Sequence, residues 1–67
     1  MISLKEMKVI LEGPRFKCQS FIINGHFHTT IVDTETGLSS LSKKYNSYDL
    51  SRQSALSELL EKIHESS

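Results

Sequence analysis

Apolar residues return every three or four positions near the end of the chain: Leu56, Leu59, Leu60 and Ile63, with Ala55 beside them. That spacing is one stripe of a helix, and the pattern predicts a helix from about Leu50 to Glu65. Asp49 or Ser51 can cap its first turn by accepting an orphan backbone N–H. Glu58 and Lys62 stand in the favourable i, i+4 order. The middle of the chain has a different rhythm. Phe16 to Ile23 and His26 to Asp33 are rich in β-branched and aromatic residues and flank Asn24-Gly25. Both turn residues accept the positive φ that a type I′ turn requires, so the segment predicts a β-hairpin.

A two-residue loop fixes the register, with Ile23 opposite His26, Phe21 opposite His28 and Gln19 opposite Thr30. Alternation then assigns the faces. One carries Phe16, Cys18, Ser20, Ile22, Phe27, Thr29 and Ile31 and is the better core face. The other carries Lys17, Gln19, Phe21, Ile23, His26, His28, Thr30 and Val32. Thr34-Glu35-Thr36-Gly37 is turn-like, and Leu38 to Tyr45 is a less regular third strand. The N-terminus reads two ways. Ser3 and Glu6 form a capping box, Leu4, Met7 and Leu11 share a helical face, and Gly13-Pro14 is a helix stop. Lys8-Val9-Ile10-Leu11 equally reads as a strand turning through Gly13-Pro14 into the next. The expected fold is therefore α+β: a three- or four-stranded antiparallel meander sheet, a C-terminal amphipathic helix on one face, and a short N-terminal helix in one of the two versions. One small domain spans residues 1–67.

Size changes the picture. A chain of 67 residues buries only about 60% of its unfolded surface. A single cysteine, Cys18, rules out an intramolecular disulfide staple. A partner or a second copy is a way of adding stability. The lone thiol suits a reducing, cytoplasmic setting, and the start of the chain lacks the apolar run of a signal peptide or membrane span. Eight basic and eight acidic residues cancel, which gives no global electrostatic footprint for nucleic acid. The serines between Ser39 and Ser57 are the only hint of low complexity.

Candidate chemistry is thin. His26 and His28 lie two apart, so their rings share a face, but a metal needs a third and usually a fourth ligand. The register puts Cys18 on the opposite face, and His64 belongs to the far helix. Neither a metal site nor a cofactor is expected. Cys18, among Phe16, Ile22 and Ile31, reads as a small buried hydrophobe.

Asp33-Thr34-Glu35-Thr36-Gly37-Leu38 resembles the Asp-x-Glu-Thr-Thr-Gly-Leu motif of proofreading-type exonucleases, where two carboxylates hold catalytic metal ions; one Thr is absent here. The stretch from Ile23-Asn24-Gly25 through Val32-Asp33-Thr34 is similar to the approach to the catalytic Asp of retroviral-type aspartic proteases, with Glu35 in place of their Gly. Each resemblance covers fewer than twenty residues, departs at a position its chemistry requires, and leaves a polar turn as the better account. A third, broader resemblance is to double-stranded-RNA-binding domains, carried by Gly13-Pro14 before the first strand and by Ala55-Leu56 to Leu60-Glu61-Lys62-Ile63 in the last helix. It implies a helix–three strands–helix order and phosphate contacts from the start of the last helix. Tyr48 and Asp49 occupy those positions here, with Lys43 and Lys44 just upstream.

The expected function is a non-enzymatic interaction module, with neither a small-molecule substrate nor a membrane as its partner. It would bind another protein, or itself, through Phe21, Ile23, His26, His28 and Val32, with the histidines adding pH sensitivity. Accessory and inhibitor proteins of phages and mobile elements belong to this class of chain. The alternative is nucleic-acid binding through Lys17, Lys43, Lys44 and Arg52, assisted by Lys5, Lys8 and Arg15.

Overall fold

The computed structural model describes residues 2–66. Its order is α1 (Leu4–Glu12), β1 (Phe16–Ile23), β2 (His26–Asp33), β3 (Ser39–Leu41) and α2 (Tyr48–Ser66). The N-terminal segment is helical because its cap forms. The Ser3 hydroxyl accepts the Glu6 N–H at 3.1 Å and lies 3.0 Å from the Glu6 carboxylate. At the other end the Gly13 N–H returns to the Ile10 carbonyl at 3.2 Å, and Pro14 cannot continue the ladder. The four-stranded version is thereby excluded. The sheet has three strands in the order β1-β2-β3, both pairs antiparallel.

The hairpin forms in the predicted register, from Phe16↔Asp33 to Ile23↔His26. Asn24 (φ 51°) and Gly25 (φ 78°) supply the turn. The third strand is shorter than expected. A single extra residue separates the pairing of Thr29 with Ser42 from that of Phe27 with Tyr45, and this β-bulge ends regular pairing after Leu41. At the bulge the Ser42 hydroxyl, not a backbone carbonyl, accepts the Thr29 N–H at 2.9 Å.

Both helices lie on the same side of the sheet. Met7 of α1, Ile31 of β2 and Ala55, Leu56 and Leu59 of α2 form the buried cluster, with Ile10, Leu11, Phe16, Cys18, Leu60 and Ile63 packed around it. The helical stripe read from the sequence is thus the one that is buried. Its start differs. The Ser47 hydroxyl accepts the Leu50 N–H at 3.4 Å, whereas Ser51 is wholly buried and Asp49 only adds negative charge to the first turn.

Ser51 belongs to a polar seam between α2 and the sheet. Its hydroxyl donates to the Tyr48 carbonyl at 2.8 Å and lies 2.8 Å from the Thr29 hydroxyl, itself 2.8 Å from that of Ser20. Each hydroxyl has one hydrogen to give. The chain must therefore run Ser20 to Thr29 to Ser51 to the Tyr48 carbonyl. Ser40 adds a bond to the Ala55 carbonyl at 2.5 Å. The serines that look like low complexity in the sequence include the residues that fix α2 against the strands. Thr29→Val breaks two links of this chain and is expected to cost about 1–3 kcal/mol in urea denaturation. Adding Ser51→Ala is expected to cost less than the sum of the two single changes, because both act on one network.

Candidate interaction surface

The side of the sheet away from the helices holds the residues singled out in the sequence. Strand alternation places Lys17, Gln19, Phe21 and Ile23 of β1 beside Val32, Thr30, His28 and His26 of β2. The pairing of Thr30 with Leu41 and of Val32 with Ser39 extends that face across β3. Met7 anchors α1 among α2 residues on the opposite side, so neither helix covers it. Phe21, Ile23 and Leu41 retain 37%, 49% and 56% of their exposure, while His26, His28 and Val32 are half-buried. The Phe21 and His28 rings stack, with centroids 5.6 Å apart and planes 10° from parallel. Leu41 is the member sequence reasoning missed. Its place follows from the β2–β3 register, which no short turn motif announces.

The helix-facing side is covered only at the open end of the hairpin. Asp33, Ile31 and Thr29 are buried, Phe27 is half-buried, and Ile22 is 63% exposed. This corrects the assignment of Ile22 to the core. α2 lies mainly along β2 and β3, and α1 meets β1 and α2. The turn end of β1 therefore emerges from under both helices. Phe27 does find α2, meeting the Tyr48 ring edge-on at 6.1 Å. Apolar side chains are consequently exposed on both faces of one strand end: Phe21 and Ile23 outside, Ile22 inside. Cys18 is half-buried against the core rather than fully enclosed.

The acidic turn is an ion-pair cluster. Arg15 Nε and Nη2 donate to the two Asp33 oxygens at 2.8 and 2.9 Å. Arg15 Nε also lies 2.7 Å from a Glu35 oxygen. The Glu35 N–H and the Thr36 hydroxyl donate to Asp33 at 3.0 and 2.7 Å. The Arg15 guanidinium holds the Asp33 carboxyl well below the usual carboxylate range, against the desolvation that pushes it up. The same bonds raise the Arg15 pKa. Asp33 and Glu35, the pair that spells part of an exonuclease motif, thus converge on a side chain of their own domain, where they lock the hairpin base to the turn before β3. Among the described residues no group of three or more His, Cys, Asp or Glu is placed to hold a metal ion.

The basic residues do not form one patch. Arg15 is committed to the acidic turn. Lys17 is exposed on the open sheet face, whereas exposed Lys5 and Lys8 belong to α1 on the other side. Lys43 and Lys44 are exposed in the β3–α2 connection, and Arg52 lies over the Tyr48 ring at 5.1 Å. No described helix is long and apolar enough to cross a membrane. Comparison with known protein families, curated proteins and solved structures returns no match.

Proposed function

We propose that this chain is a non-enzymatic protein-interaction module that docks a partner on the open face and turn end of its hairpin. One observation carries the reading: Phe21, Ile23 and Leu41 are exposed together on a sheet face that neither helix covers. Exposed apolar surface rimmed by polar groups, here Lys17, Gln19 and Thr30, marks interaction sites. Rings anchor such interfaces well, and the stacked Phe21–His28 pair offers one that is already oriented. The mode of action is occlusion, as in accessory and inhibitor proteins that cover a surface of their target.

Changing Phe21 and Ile23 together to Ser tests it. Neither side chain belongs to the buried cluster, so circular dichroism is expected to be unchanged, with a stability loss of about 1–3 kcal/mol, most of it from the partly buried Phe21 ring. Association, read as sedimented mass alone and with candidate partners, is expected to vanish. Association that survives the double substitution places the interface elsewhere.

The helix–three strands–helix order favours a second reading, since double-stranded-RNA-binding domains share it. Order is a property of fold and does not carry function with it. Asp49 in the first turn of α2 repels phosphate. Duplex-RNA binding that falls steeply with salt and is lost when Lys43 and Lys44 become Glu is the result that would favour this alternative.

A further inference from the structure

The two edges of the sheet are unlike. β3 is three residues long, is broken by a bulge and runs into Lys43 and Lys44, all devices that discourage strand pairing. β1 is eight residues long, FKCQSFII, with no proline and Lys17 as its only charge. Across a two-residue turn Ile23 and His26 exchange backbone bonds, and alternation then directs the N–H and C=O groups of Phe21, Gln19 and Lys17 toward β2. The bond from the Thr34 N–H to the Arg15 carbonyl at 2.9 Å continues that series. The backbone groups of Ser20 and Ile22 consequently face outward from the edge.

The exposed apolar residues sit at the end of this same strand, on both of its faces. A helix laid on the sheet covers one face only. A strand added at the edge places alternate side chains on each face and covers Phe21, Ile22 and Ile23 together. The geometry points to a second copy of this chain as that strand, its β1 pairing antiparallel with β1 about a two-fold axis at Phe21. This rests on the hairpin-end reading above and names the occupant.

The strand is its own complement in that register. Each Phe21 faces its counterpart in the second copy, Ser20 and Ile22 exchange backbone bonds with one another's counterparts, and Ile23 faces Gln19. Lys17 lies beyond the paired segment, near the Asn24-Gly25 turn of the second copy, so no like charges meet. The overlap is confined to the turn end of β1, while Phe16 and Cys18, which pack against the helical core, lie outside it. The helical layers of the two copies then lie on the same face of the joined sheet, each over its own copy's strands. Such self-complementary contacts close into a dimer and join two three-stranded sheets into one.

Sedimentation equilibrium from micromolar to millimolar concentration tests the pairing on the intact chain, with circular dichroism confirming each fold. The natural sequence is expected to dimerise, and Ile22→Lys to weaken the dimer about tenfold or more, because a symmetric interface carries the change twice. In a Cys18→Ser background, Phe21→Cys is expected to cross-link on mild oxidation. Facing residues in a non-hydrogen-bonded antiparallel pair have Cα atoms about 4.5 Å apart, within disulfide reach. Gln19→Cys in the same background is expected not to cross-link. A chain that stays monomeric to millimolar concentration, with an unlinked Phe21→Cys variant, overturns self-pairing; the hairpin-end reading then stands or falls on a different partner lost with Phe21 and Ile23. A dimer sensitive to Phe21→Ser but indifferent to Ile22→Lys overturns edge pairing in favour of face-to-face packing on the same surface. A dimer indifferent to both substitutions overturns the pairing and the hairpin-end reading alike.

Discussion

Replacing Arg15 with methionine is expected to blunt the response of the fold to mild acid. In the natural chain the Asp33 carboxyl is held below its ordinary range, chiefly by the two bonds from Arg15. A lowered folded-state pKa gives stability that is present in full above the unfolded-state pKa, about 3.9 for Asp. That stability is lost as pH falls through the folded-state value. Midpoints of urea denaturation are therefore expected to hold from neutral pH to about pH 5 and then to decline. Methionine keeps much of the length of the side chain but leaves Asp33 buried beside Glu35 with no cation. Desolvation, no longer opposed by Arg15, then pushes its pKa up from its position in the natural chain, while the Thr36 hydroxyl and the Glu35 N–H still hold it down. The gap between the folded- and unfolded-state pKa narrows, so the variant loses most relative to the natural chain at neutral pH and its stability falls less steeply in acid. Asp33→Asn is expected to be milder and to lose the dependence, because the Arg15 side chain is 40% exposed against 0% for Asp33 and still has Glu35. At neutral pH the order is natural chain, Asp33→Asn, then Arg15→Met. An Arg15→Met variant that weakens in acid along the same curve as the natural chain would show that this pair does not set the acid response.

That cluster also marks the limit of what the sequence discloses. Asn24-Gly25 makes the hairpin legible because a two-residue turn leaves one register, and the register alone places Phe21, Ile23, His26, His28 and Val32 on one face. Arg15 and Asp33 stand 18 positions apart, and no local motif joins them. The signal was nonetheless present. Carrying the register one pair beyond Phe16↔Asp33 sets Arg15 opposite Thr34, within reach of both acidic side chains. The N-terminal segment was ambiguous because Lys8–Leu11 satisfies either period, and the Ser3 cap decides it. Leu41 was out of reach for another reason. The turn before β3 carries no motif that fixes a register, so nothing in the sequence sets Leu41 opposite Thr30.

Alternation gives Ile22 and Ile31 the same face, yet Ile31→Ala and Ile22→Ala are expected to differ severalfold in cost. Ile31 lies in the central strand among Met7, Ala55, Leu56 and Leu59, with no exposure. Its truncation removes buried methyl groups and leaves a void between sheet and helices, worth about 2–5 kcal/mol. A core in a chain this short supplies little more than about 3–5 kcal/mol in all, so the variant is expected to be largely unfolded at room temperature. Ile22 is 63% exposed, and its truncation is expected to shift stability by no more than about 0.5 kcal/mol. Urea denaturation at micromolar concentration compares the two without a contribution from association. Equal costs would mean that the helices cover the whole hairpin and that its turn end is core. Unequal costs would mean that Ile22 contributes almost nothing to the stability of the monomer, as expected of a side chain left free for the strand pairing proposed at this edge.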